Sequence, residues 1–182
     1  IYLQSSTFDP LQDNTANAAA ATLDQQLAAP APETYYVENY YAENYYLVQF
    51  NGAIQSAWIQ QVEALGGRVL GYIPENTHVV RMNRATLANL RSLPAVRWVG
   101  DYRPNYKLPL SLSQTLSAAT SGQSSATGAA APLAIDVYVV AFIGESLNDL
   151  QSAVVAQGGT IAEASDSPVG PVVRATIPAR GL

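Results

Sequence analysis

Cysteine is absent from this chain, which excludes disulfides, thiolate nucleophiles and thiolate metal ligands. Histidine occurs once, at His78, so no second imidazole can complete a metal set or a nucleophile–base pair. Charged residues are only 13% of the 182, well under the roughly 25% usual for soluble domains. The net charge is −5, the wrong sign for a nucleic-acid groove. No apolar run approaches the roughly 20 residues of a membrane-spanning helix. There is no initiator Met and no signal peptide, so Ile1 suggests a processed chain or a fragment. What the chain has instead is tyrosine: 11 residues among few charges, a mix that suits a secreted, extracellular protein.

The stretch 45–107 reads as one compact unit. Tyr46-Leu47-Val48-Gln49-Phe50 is a strand that stops at Asn51-Gly52. Ile54, Trp58, Val62 and Leu65 then share one helical face. Gly66-Gly67 ends that helix. Arg68 to Ile73 is a second strand, Pro74-Glu75-Asn76 a turn, and Thr77 to Met82 a third strand. Arg84 to Leu93 is a second helix with Leu87, Leu90 and Leu93 on one face, and Val96-Arg97-Trp98-Val99 is the fourth strand. A βαββαβ order with short connections predicts an α+β chain with a ferredoxin-like sandwich, one antiparallel sheet carrying both helices on one face.

Residues 1–44 form an extended N-terminal arm in this reading. Ile1-Tyr2-Leu3-Gln4 is a candidate short strand, and Thr15 to Leu27 a candidate helix ended by Pro30 and Pro32. A five-residue tyrosine repeat follows, carrying Tyr35, Tyr36, Tyr40 and Tyr41. Its period fits neither a helix face nor a strand face. The rings either lie on a neighbouring surface of the same chain or serve an association arm, since tyrosine supplies large contact area at low entropic cost. Residues 108–132 are rich in Ser, Ala, Thr and Gly and uncharged, which predicts a flexible linker with acceptors for O-glycans.

Residues 133–182 then repeat half of the first unit. Phe50-Asn51-Gly52 aligns with Phe142-Ile143-Gly144, Trp58 with Leu150, Val62 with Val154, and Gly66-Gly67 with Gly158-Gly159. With one extra turn residue, Val79-Val80-Arg81 aligns with Val172-Val173-Arg174. This second copy is an incomplete βαββ module, because Pro178 to Leu182 stand where the second helix should begin. In a ferredoxin-like order the fourth strand borders the first. Its absence predicts a bare apolar edge from Ile135 to Ile143, with Val137 and Val139 as partner-binding residues.

Candidate chemistry is sparse. His78 shares a strand face with Val80 and Met82 and reads as a core or edge histidine. Glu38, Glu43, Glu63 and Glu75 are scattered and read as solvated carboxylates. The double glycines lack a phosphate-loop lysine. No catalytic residue, no metal ligand and no cofactor site is assigned.

Several strings nevertheless resemble a known family. Tyr45-Tyr46-Leu47-Val48-Gln49-Phe50-Asn51-Gly52, Trp58, Leu70-Gly71-Tyr72-Ile73-Pro74-Glu75-Asn76, Val80-Arg81-Met82 and Val96-Arg97-Trp98-Val99-Gly100 look like the N-terminal propeptide modules of secreted subtilisin-like serine peptidases. Thr7-Phe8-Asp9-Pro10-Leu11 and Tyr102 to Leu108 resemble the flanking segments. The resemblance implies a module that assists folding of a peptidase domain and inhibits it. The sheet would pack on the enzyme, and the tail from Tyr102 to Leu108, including Tyr106, would enter its cleft. The partner would be a subtilisin-like peptidase domain. The alternative is an extracellular structural protein whose copies assemble head-to-tail into a filament by strand complementation, with no nucleic acid or membrane span involved.

Both readings are non-catalytic. The purified chain is expected to show no protease activity beyond that of a His78→Ala variant; activity lost specifically in that variant would overturn the expectation.

Overall fold

The structure, a computed structural model, describes residues 1–4, 6–12, 43–120 and 134–178. The chain divides into two compact units, Ile1–Leu110 and Ser111–Leu182. Both are α+β with an antiparallel sheet.

The first unit runs β1 (Glu43–Phe50), α1 (Ser56–Ala64), β2 (Arg68–Ile73), β3 (Thr77–Asn83), α2 (Leu87–Arg91) and β4 (Val96–Asp101). The sheet order is β2-β3-β1-β4, with every neighbouring pair antiparallel. Tyr46, Val48 and Phe50 alternate along β1 and pack with Val62 of α1, Leu87 and Leu90 of α2, and Val80, Met82 and Val99. Trp58 stacks on Phe50, centroids 5.8 Å apart and planes 13° from parallel. Ile54 precedes α1 rather than belonging to it, but still lies on this core. The expected helix from Arg84 to Leu93 is split. Asn83 Oδ1 accepts the Ala85 N–H at 2.8 Å and starts a 3-10 turn at Arg84–Thr86, which leaves only a short α2.

The two glycines after α1 have different duties. Gly66 leaves the helix at φ +83°, a conformation that disfavours other residues. Gly67 is needed for space: a Cβ there would stand 2.8 Å from Val62 Cγ1 and 3.0 Å from the Val62 carbonyl.

In the second unit, β5 (Ala134–Val140), β6 (Thr160–Ser167) and β7 (Gly170–Pro178) form a sheet of order β5-β7-β6, with α4 (Leu147–Ala156) packed on it. Val154, Val173, Ala175 and Ile177 are its buried core. Between the last residue of the first unit and this sheet lies α3 (Leu110–Thr120), where a flexible linker was expected. No glycine or proline interrupts those eleven residues, and Leu116 is buried, so a helix is favoured over coil there.

The two units share a strand row, in a register that differs from the sequence alignment. The row Val69–Val80–Tyr46 corresponds to Ile161–Ala175–Val137, with a bulge directly after Val69 and after Ile161. Val139 therefore takes the place of Val48, one residue away from the ungapped alignment. Ala175 takes the place of Val80, two residues away, because the β6–β7 hairpin extends further than β2–β3. A one-residue slip reverses the faces of a strand, so Val137 and Val139 turn toward α4 and Tyr138 and Val140 turn outward. β5 also ends at Val140 rather than Ile143.

Trp58→Ala is expected to cost about 3 kcal/mol, the low end for a truncated core aromatic because Trp58 is half-buried. Gln60→Ala, exposed on the opposite side of α1, should leave the denaturant midpoint unchanged. Equal effects would mean that the packed face of α1 is misassigned.

Candidate interaction surfaces

The second face of the first sheet is already occupied. Leu47, Gln49, Thr77 and Val79 all point away from the helices, yet all are buried. Among the described residues, the N-terminal segment reaches this face at Trp98 and Arg97, together with the tail after β4. Ile1-Tyr2-Leu3-Gln4 is not a strand of a sheet. It turns back on itself through an isolated bridge between Tyr2 and Thr7 and an N–H bond from Phe8 to the Ile1 carbonyl at 3.1 Å. This brings Phe8 edge-on to Trp98 at 6.2 Å and into a stack with Tyr106 at 5.6 Å. Phe8 and Tyr106 are 4% and 5% exposed, so both belong to a core. The Trp98 ring folds over Gly100, where any Cβ would collide with the indole.

A bulge in β4 supplies the polar half of this clasp. Gln49 pairs with Trp98 and Phe50 with Val96, leaving Arg97 as the extra residue. A bulge re-aims the side chain it displaces. Arg97 Nη1 donates to Gln49 Oε1 at 2.7 Å, and Nη2 meets Asp9 Oδ1 at 3.2 Å. Gln49 Nε2 in turn donates to the Glu75 carbonyl at 3.1 Å, and Thr77 Oγ1 donates to the same oxygen at 3.0 Å. The Leu11 N–H donates to Asp9 Oδ1 and, with the Arg97 charge, holds the Asp9 carboxyl below the usual carboxylate range against a desolvation that opposes it.

The expected tail is therefore folded back. The Tyr102 N–H donates to the Tyr45 carbonyl at 2.9 Å, and a 3-10 turn at Pro104–Lys107 follows. Lys107 Nζ lies 5.4 Å from the centroid of the Tyr45 ring and 5.5 Å from that of Tyr102. Lys107 exposes much of its surface, but the protein around its ammonium desolvates it and lowers its pKa. Desolvation raises that of Tyr102.

The remaining expected residues fall as follows. Tyr35, Tyr36, Tyr40 and Tyr41 lie outside the described residues. Val137 and Val139 are half-buried against the Val154 cluster, with their strand at a sheet edge. Tyr138 (68% exposed) and Val140 (58%) are the outward residues of β5 and were missed. Asp136 could have found them: a carboxylate marks the solvent face, and positions two and four further on share it. His78 Nδ1 lies 3.0 Å from the Gly71 carbonyl, and its ring meets Phe50 and Tyr72 edge-on. Arg81 Nε pairs with Glu43 Oε2 at 2.8 Å. Among the described residues no three metal-ligating side chains come together, and no helix is long and apolar enough to cross a membrane.

The clasp carries a pH dependence with a definite sign. A carboxyl whose pKa is depressed by folding stabilises the fold above its unfolded pKa, about 4, and that contribution disappears as pH falls through the lower folded value. The fluorescence of Trp98, read in a Trp58→Phe background, is expected to change below about pH 4. Asp9→Asn should remove that step; an identical profile in the variant would show that Asp9 does not hold the segment down.

No curated protein and no solved structure matches the chain. Residues 2–103 match a family described as a domain of unknown function, DUF8729. That span takes in Phe8, Asp9, the whole β1–β4 sheet and Tyr102, so the clasped segment and the sheet it covers fall within one family domain. With more than half of its length inside that span, the protein belongs to the DUF8729 family.

Proposed function

We propose that this protein is a secreted, non-catalytic module of the propeptide type found in subtilisin-like peptidase precursors, acting through protein–protein contact. The observation that carries this reading is the sheet order β2-β3-β1-β4 with α1 and α2 on one face, which supports a ferredoxin-like first unit. The sequence strings quoted above point to the same kind of module. The lone His78 is engaged by a backbone carbonyl and two rings, which fits a structural role.

In such a module the sheet and tail face the peptidase. Here the sheet face is clasped by Phe8 and Asp9 of the N-terminal segment, and Tyr106 stacks on Phe8. The first unit is then a self-covered form whose inhibition is weak until the clasp opens. Mixed with an acid-unfolded subtilisin-like peptidase, the chain is expected to raise the yield of active enzyme on refolding. Phe8→Ala should inhibit the folded peptidase about tenfold more tightly than the parent chain, the equivalent of 1.4 kcal/mol. If neither chain alters yield or rate, the reading fails.

The second unit favours another reading. Among the described residues β5 pairs only with β7, and an open apolar strand edge is a template for strand addition. Head-to-tail filling of that edge would build an extracellular filament. Particle mass by light scattering should then rise with concentration, whereas a monodisperse monomer at every concentration rejects assembly.

A further inference from the structure

We propose that the second unit is a receptor for a helix–strand segment of a partner protein, which takes the two places that α2 and β4 hold in the first unit. This rests on the reading that the chain works by protein contact, and it names the chemistry of the contact.

The internal repeat is the template. β1 lies between β3 and β4, while its counterpart β5 has only β7 beside it among the described residues. The open edge belongs to a strand whose counterpart is central, and it carries no lysine, no proline and no bulge; its one guard is the charge of Asp136. A second gap adjoins it. In the first unit α2 brings Leu87 and Leu90 onto the core, and Tyr46 and Val48 are 2% and 0% exposed. Their counterparts Val137 and Val139 face α4 but remain half-buried, and the helical residues that join their cluster are those of α4: Leu147, Leu150 and Val154. A bare strand, or the β5 of a second copy, would close the edge and leave this apolar stripe uncovered. A helix followed directly by a strand closes both.

The register sets the composition of the segment. In the first unit Val48 pairs with Val99 of β4, so the residue opposite Val139 is apolar. The Tyr45 carbonyl accepts the Tyr102 N–H, and Asp136 stands in the Tyr45 position. Asp136 is the only charged residue of β5 and accepts a hydrogen bond from Thr176 Oγ1. The residue opposite it is therefore a lysine or arginine. The partner segment is a short helix with leucines three apart, a brief connection, and an antiparallel strand with apolar residues on its α4 side and one cation toward its end.

The probe is a synthetic peptide with the sequence of residues 84–103 carrying Tyr102→Lys, added to the full chain. Backbone hydrogen exchange of the β5 amides is the readout. The peptide is expected to slow their exchange at least about tenfold, the equivalent of 1.4 kcal/mol of protection. Asp136→Lys in the chain should remove that protection while β6 and β7 exchange as before, and a peptide with Tyr102→Glu should restore it. Three outcomes would overturn the proposal. One is β5 exchange unchanged by the peptide. Another is equal protection by a strand-only peptide of residues 94–103, which would mean that the helix gap is not used. The last is β5 protection without peptide that grows with protein concentration, which would give the edge to a second copy. The peptidase assay reads none of these amides, so its failure and this one are separately visible.

Discussion

Each unit depends on one close approach, between a helix valine and the glycine just before the next strand. The Gly67 N–H donates to the Val62 carbonyl at 3.0 Å, and the Gly159 N–H donates to that of Val154 at 2.9 Å. In both places a Cβ would collide with the valine side chain and its carbonyl. The contact ties the end of the helix to the start of the following strand with nothing between them. Once it is made, Val69 and Ile161 enter their sheets at equivalent points, and the bulge follows immediately in each. The strand rows on either side then take their order from that entry.

What differs between the units is how the rest of the sheet is covered. Among its described residues the first unit has four strands, two α-helices packed on one face and a clasp on the other, so β1 is buried on both sides and paired at both edges. Burying a polar Gln49 there requires partners, and it has them: Arg97 on its carbonyl, the Glu75 carbonyl on its amide. The Arg97 charge is shared with Asp9, which links the sheet to a segment 88 residues away in sequence. Among the described residues the second unit reuses the strand–helix–strand–strand half without these additions. Its far face keeps Tyr138 and Val140 in solvent, and its inner stripe beside β5 is half-covered. The same half-module is thus closed in one setting and open in the other. The closed unit supplies the family membership, and the open unit supplies the surface on which a partner is expected.

The sequence by itself determined the order of elements, the double-glycine helix stops, the half-unit similarity and the absence of cysteine and of a second histidine. Those are local properties: period, turn residues and residue types missing outright. Trp58, Val62, Leu87 and Leu90 could be placed on core faces because helical spacing alone selects them. Tertiary structure decided the rest. A strand reads the same in either register, so only pairing with β7 could show that Val139, not Val140, replaces Val48. The linker 108–132 looked structureless by composition, yet its first part is helical because nothing interrupts it and Leu116 finds a buried place. Tyr106 reads as a partner residue through the resemblance of its segment to propeptide tails, and the structure stacks it on Phe8, at the far end of the sequence. Contacts between residues that remote leave no periodic trace along the chain. They exist only once the sheet has formed a face for both segments to meet on.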